Sequence, residues 1–169
     1  MKKETTISAV FEETISRMKG DGVILLAGDP PNPMTIGWGT IGYIWGRKIF
    51  TILVRPSRFT HALMEKSKEF TVNILGDEFR RQLSLFGTKS GRNTDKIKEC
   101  GFTLENGICV KTPFIRESHI HYECRIVQEN ELLPEKIAAD IAKRYYPAGD
   151  FHTVYYGEIL GIFKCSPTL

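Results

Sequence analysis

The sequence predicts a mainly β protein, an antiparallel barrel with helices added outside it. Three observations carry this. Short runs rich in Val, Ile, Thr and aromatic residues recur along the chain, Gly and Pro punctuate them, and too few helical stretches lie between them for regular βαβ alternation. At 169 residues the chain suits a single domain, 1–169, able to bury a sizeable core without staples.

Residues Thr6 to Met18 place Ile7, Val10, Phe11, Ile15 and Met18 at helical intervals, which predicts a leading amphipathic helix closed by Gly20. Strands are predicted over Gly22–Ala27, Met34–Trp38, Lys48–Val54, Phe70–Leu75, Gly107–Val110, His119–Val127 and Thr153–Phe163. Three stretches with helical spacing interrupt them, Thr60–Lys68, Asp77–Phe86 and Glu135–Tyr145. In the second of these Phe79, Leu83 and Phe86 fall on one face. The last strand is apolar on both faces except near Glu158, so cover on both sides is expected, and a dimer interface would supply it.

A hydrophobic fraction of 41% and a charged fraction of 25% are those of a globular protein in water. The longest apolar stretches, such as Val23 to Gly28, are far short of a membrane span. Met1-Lys2-Lys3 imitates the start of a signal peptide, but Glu4, Glu12 and Glu13 interrupt what would be its apolar core, which points to the cytoplasm. A net charge of +3, with bases scattered among acids, argues against nucleic acid and is compatible with a small anionic ligand. Cys100, Cys109, Cys124 and Cys165 are too far apart for a zinc site or a thioredoxin-like motif, so free thiols and no metal are expected.

Gly37-Trp38-Gly39-Thr40-Ile41-Gly42 matches the dinucleotide fingerprint G-x-G-x-x-G, yet the context denies it. The glycines lead into a β-like run instead of a helix, and the position about 20 residues on is Ser57, not an acid. These glycines serve either close approach to a flat ligand or a bulged strand end.

Arg55-Pro56-Ser57-Arg58-Phe59-Thr60 lies between a strand and a helix start, where unpaired N–H groups, hydroxyls and arginines suit a phosphate; the alternative is a cap, with the arginines in water. Thr88-Lys89-Ser90-Gly91-Arg92-Asn93-Thr94-Asp95-Lys96 is either a loop closing over an anion or a solvated connection with Thr94 as a cap. Asn32, Met34 and Trp38 are of the types that face a flat ring with a polar edge, or they are core. Asn73, an amide inside an apolar run, must bond either backbone or ligand. His119 and His121 share one side of a strand with Glu123 and Arg125, which reads as a polar outer face before a metal ladder, since no third ligand is placed. His152 opens the final strand and either positions a substrate or shuttles a proton, or is structural.

Taken together, Asn32-Pro33-Met34-Thr35-Ile36-Gly37-Trp38-Gly39, Val54 to Thr60, Phe70 to Leu75, Ser90-Gly91-Arg92 with Asp95-Lys96, and Gly149-Asp150-Phe151-His152 with Gly157-Glu158 resemble the flavin reductase-like family of FMN-binding split barrels. The segments occur in the family's order over about Gly22 to Gly161. The resemblance implies a Greek-key-like split β-barrel homodimer that binds FMN, in preference to FAD, near the subunit interface. It implies that Thr35, Trp38, Gly39 and Thr40 lie near the ring or ribityl chain. Arg55, Ser57, Arg58 and Thr60 would serve the phosphate, and Asn73, Lys89, Ser90 and Arg92 would complete the cavity. The implied activity is an NAD(P)H:flavin oxidoreductase, with NADH or NADPH as hydride donor and a monooxygenase or another redox protein as recipient. A flavoredoxin-like electron carrier is the alternative. Many family members read Gly-Asp-His, whereas Phe151 here separates Asp150 from His152, a shift that on a strand turns His152 toward the other face.

Overall fold

The computed structural model describes Lys2–Cys165. In chain order its elements are β1 (Lys2–Glu4), α1 (Ile7–Lys19), β2 (Val23–Ala27), β3 (Asn32–Ile36), β4 (Gly39–Ile44), β5 (Arg47–Val54), α2 (Phe59–Ser67), β6 (Glu69–Ile74), α3 (Arg80–Thr88), α4 (Lys96–Cys100), β7 (Leu104–Glu105), β8 (Phe114–Ile115), β9 (Ile120–Glu131), α5 (Ala139–Tyr145) and β10 (Thr153–Cys165). One antiparallel sheet runs in the order β3-β2-β6-β9-β10-β5-β4, and β1 pairs with β10 off that path.

The sheet curls on itself. Met34 and Ile36, from its β3 margin, share one core with Phe50 and Ile52 of β5, next to the opposite margin, which a flat sheet would not permit. Helix α1 lays Val10, Thr14 and Met18 against this core. The Thr14 hydroxyl donates to the Val10 carbonyl (2.9 Å) and lies 2.6 Å from the Tyr122 hydroxyl, so a polar pair deep inside satisfies itself. Strand β2 is buried at every residue: Val23, Leu25 and Ala27 face the barrel core, while Ile24 and Leu26 face a second cluster with Leu83 and Phe86 of α3. A helix packed on the outside therefore accounts for its unbroken apolar run.

The mainly β architecture with added helices is as the sequence predicts, and its departures have local causes. Strand β4 turns into β5 through Trp45 and Gly46, both at positive φ (55° and 70°), the two-residue turn whose twist suits a hairpin. The strand predicted over Gly107–Val110 does not form. The N–H groups of Ile108, Cys109 and Val110 all donate to the Glu123 carboxylate instead of to a neighbouring strand. Consequently His121 and Glu123 do not lie on a polar outer face. Both are fully buried under this loop, with His121 stacked between Phe114 (3.9 Å) and Phe163 (5.0 Å) and bonded to Glu123 (3.1 Å). Helix α4 starts from Asp95, whose carboxylate accepts the Lys98 N–H, so Asp95 and not Thr94 is the cap. Strand β10 lies between β9 and β5, and most of it is covered by the chain itself; Tyr156, Glu158 and Leu160 remain half-buried.

Candidate functional site

Where β5 ends, the chain turns through Arg55 to Arg58 into α2, directly beside β3. Two adjoining cavities open there and meet at Met34 and Arg58. The first, of about 280 Å³, is walled by Thr35, Gly37, Trp38, Leu53, Arg55 and His152 among others. The second, of about 140 Å³, is walled by Asn32, Thr60, Ser90 and the cations Lys89, Arg92 and Lys96.

The first cavity has an aromatic wall. Trp38 is 40% exposed, meets Tyr145 edge-on (5.0 Å) and lies 5.2 Å from the His152 ring. His152 is 8% exposed and its Nδ1 sits 2.7 Å from the Tyr146 hydroxyl. Burial, and then the Arg55 guanidinium, push its pKa down to about 4, so the imidazole is neutral at pH 7. The extra residue Phe151 does not turn His152 away: Gly149 and Asp150, both at positive φ (77° and 57°), re-aim the entry to β10, and Phe151 stacks on Tyr146 instead (4.6 Å).

The second cavity is cationic, though by a different set than the sequence suggests. Arg55 donates to the carbonyls of Asp150 (2.9 Å) and Tyr145 (2.8 Å) and stands over the Tyr146 ring, so it straps the 145–152 segment in place. Ser57 spends its hydroxyl and its N–H on the Asp150 carboxylate (2.6 and 3.2 Å). Ser57 lines the second cavity and Arg55 the first, and the Arg55 Nε–H has no partner among the described residues. Arg58 donates to Gly87 O (2.6 Å) and Met34 Sδ (3.3 Å), and its other amino group has no partner among the described residues. Thr60 is buried and accepts from Asn32 Nδ2 (2.7 Å), which leaves its hydroxyl proton to donate. Gly91 lies so close to Asn32 that any Cβ there would overlap the amide oxygen, which explains the glycine in this loop. Arg92 donates to Ser57 O (3.2 Å) and covers the Phe59 ring, while Lys89 is paired with Glu99.

Lys96 carries the strongest signal. It is 3% exposed, its ammonium donates only to the Lys89 carbonyl (3.3 Å), and no carboxylate pairs with it among the described residues. Burial and then Arg58 hold its pKa down to about 8. A buried cation without a counter-charge beside a second cation is costly unless an anion joins it. Lys96 is visible in the resembling motif, but nothing local in the sequence says that it is buried.

Three expected residues lie elsewhere. Asn73 is fully buried and satisfied by protein: it donates to Ile24 O (3.4 Å) and Thr71 Oγ1 (3.0 Å) and accepts the Ile115 N–H (2.8 Å). Gly39 and Thr40 line neither cavity and pair with Ile52 and Thr51 in the β4–β5 hairpin. Thr35 does line the first cavity, with its hydroxyl donated to Leu83 O. The joined cavities thus offer a slot of mixed polar and apolar lining with an aromatic wall at Trp38, continuous with a cationic end.

A protein-family model described as the flavin reductase like domain matches residues 16–167. An uncharacterized protein of Archaeoglobus fulgidus is 30% identical over 134 residues, 79% of this chain; the chain spans 66%, just under two thirds, of that relative's length. The flavoredoxin of Desulfovibrio vulgaris (Miyazaki F) superposes with a TM-score of 0.70 at 21% identity, covering 87% of this chain and 70% of that one. An NADH:FAD oxidoreductase of Streptomyces globisporus superposes at 0.65 and 20% identity, covering 91% and 83%. At these identities the structural likeness shows the split-barrel fold.

Proposed function

The chain belongs to the flavin reductase-like family, and from that premise we propose that it is an FMN-binding oxidoreductase, an NAD(P)H:flavin reductase acting in the cytoplasm as a homodimer of one-domain subunits. The observation that carries the proposal is the buried Lys96 ammonium, with no carboxylate partner among the described residues, at the cationic end of a slot whose other end is walled by Trp38.

FMN, when bound, supplies the redox chemistry, accepting a hydride and passing electrons on. The chain supplies binding and orientation. Lys96, Arg58 and the Thr60 hydroxyl hold the phosphate, assisted by Ser90 and Arg92, with charge-assisted bonds in a partly dry site. Trp38 and Met34 provide the apolar surface for the ring. His152, neutral and held by Tyr146, offers the nicotinamide a hydrogen bond without adding charge. The recipient of the electrons is a monooxygenase or another redox protein. The likeness to flavoredoxin favours a second reading, in which the FMN stays bound and electrons pass between proteins beside the exposed Trp38.

An absorption spectrum followed by a nicotinamide assay tests both. Steady NADH or NADPH consumption on addition of FMN supports the reductase. A yellow protein that ignores both nicotinamides yet accepts electrons from a redox protein supports the carrier. Colourless protein that leaves FMN fluorescence unchanged removes both.

A further inference from the structure

We propose that the apolar pocket between α5 and Trp38 is a second small-molecule site, for a neutral quinone. The proposal rests on the flavin reading above, to which it adds a place for an electron acceptor. The pocket, of about 440 Å³, lies between β5, the segment that follows β9, and α5, and it shares Trp38 and Leu53 with the 280 Å³ cavity. Pockets that hold small ligands run to roughly 300–1,000 Å³, so a compound of one or two rings has room there.

Its outer wall is fixed from several sides and yet left uncovered. The Leu132 N–H donates to His152 O (3.1 Å), Arg55 donates to Tyr145 O (2.8 Å), and the Tyr146 N–H donates to Ala142 O (2.9 Å). No residue of α5 is fully buried, and Ile141 (44%) and Tyr145 (37%) keep apolar surface in water. A helix of seven residues gains little stability from its own hydrogen bonds. A ligand that covers this face therefore stabilises helix and complex together.

The lining selects the chemistry. Leu132, Ile137, Ala138 and Ile141 form an apolar wall, and Trp38, Tyr145 and Tyr146 offer ring faces and edges to a flat compound. Among the described residues Lys136 is the one charged side chain on this wall, whereas Lys89, Arg92 and Lys96 line the cationic cavity, so a neutral ligand is favoured over a nucleotide. The Tyr145 hydroxyl and the Lys136 ammonium have no partner among the described residues, and no carboxylate lines the pocket. A quinone matches both features, with an uncharged ring for the aromatic wall and carbonyl oxygens that accept from the two donors. Through Trp38 and Leu53 it stands next to the ring slot, where an acceptor of flavin electrons has to be.

Equilibrium dialysis against duroquinone, whose fully substituted ring spares the free thiols, tests the proposal on the protein with oxidised FMN present. A Kd of about 10 to 100 µM is expected for a ligand of about a dozen heavy atoms. Ile141→Trp, which fills the pocket from an exposed helix position, should weaken binding at least about tenfold. Tyr145→Phe, which keeps the ring and removes a donor, should weaken it about fivefold while leaving the binding of toluene, which has no carbonyl, unchanged. Unchanged duroquinone affinity in both variants overturns the proposal. FMN affinity, read separately by flavin fluorescence, distinguishes the two readings. FMN that binds while duroquinone does not overturns the quinone site alone, and duroquinone that binds where FMN does not supports the site and removes the flavin reading. Displacement of duroquinone by NAD+ assigns the pocket to the nicotinamide, and tighter binding of a naphthoquinone sulfonate assigns it to anions through Lys136. A dimer that becomes monomeric in Ile141→Trp assigns it to a second copy, and each of these three results overturns the proposal.

Discussion

Single residues decide whether the cationic cavity holds an anion. Arg58→Ala should weaken FMN binding by about 1.5 to 3 kcal/mol, the range for a hydrogen bond to a charged group; fluorescence titration showing unchanged affinity would remove Arg58 from the site. Lys96 gives a prediction with a pH signature. Its pKa is held at about 8, so above that pH the ammonium is progressively lost and FMN affinity should fall, whereas riboflavin, which has no phosphate, should show no such decline. In the ligand-free protein the sign is opposite. Between about 8 and the ordinary lysine value near 10.4 the unfolded chain binds a proton at Lys96 that the folded chain does not, so the Lys96 contribution to stability should rise with pH, opposed by the thiols of Cys100, Cys109 and Cys124, which burial raises and the folded chain keeps protonated longer. Lys2, also lowered to about 8 chiefly by burial, adds to that rise, and Lys96→Met should remove only the Lys96 part, as read from urea midpoints across this window. At this scale the sequence could name residue types but not their partners. Arg55, Ser57 and Asn73 have the chemistry of ligand groups, and each is engaged by protein atoms that lie tens of residues away.

At the scale of elements, hydrophobic period located most strands and helices, and it failed where side chains and not strands satisfy the backbone. The 107–110 segment has the composition of a strand, but Glu123, fully buried, collects its N–H groups. Burial alone would raise the Glu123 pKa, yet the His121 bond and these backbone donors hold it below the ordinary carboxylate value. The carboxylate is therefore ionised at neutral pH and serves as the anchor of the loop. Glu123→Ala should cost about 3 kcal/mol or more, because it leaves several buried donors without an acceptor. Glu123→Gln keeps one carbonyl oxygen and should cost less. Urea unfolding measures both, and a loss below about 1 kcal/mol for the alanine variant would mean that the loop is held by other contacts. The same alternation of His119, His121, Glu123 and Arg125 that reads as a solvated face is thus compatible with a buried one, since periodicity reports which residues share a side and not what covers that side.

The whole molecule leaves apolar surface that its own fold does not cover. On the β4–β5 hairpin Tyr43 is 70% exposed and Trp45 61%, with Trp45 edge-on to the half-buried Tyr156 (5.9 Å). Trp45 also occupies a positive-φ turn position before Gly46, where Asn would fit with less strain, so the turn keeps an aromatic there against its local preference. A contiguous aromatic patch of this kind is what an interface with a second copy would bury. We assign this surface to the proposed homodimer. Light scattering should give twice 19.2 kDa for the protein, and the double variant Tyr43→Glu with Trp45→Asn should give 19.2 kDa. The Asn suits the turn, so the hairpin keeps its geometry while losing its apolar tip, and circular dichroism should be unchanged. If the partner subunit completes the ring cavity, the monomeric variant should also bind FMN more weakly than the dimer does. A protein that already scatters as 19.2 kDa would leave the exposed hairpin to some other partner and place the whole flavin slot within one chain.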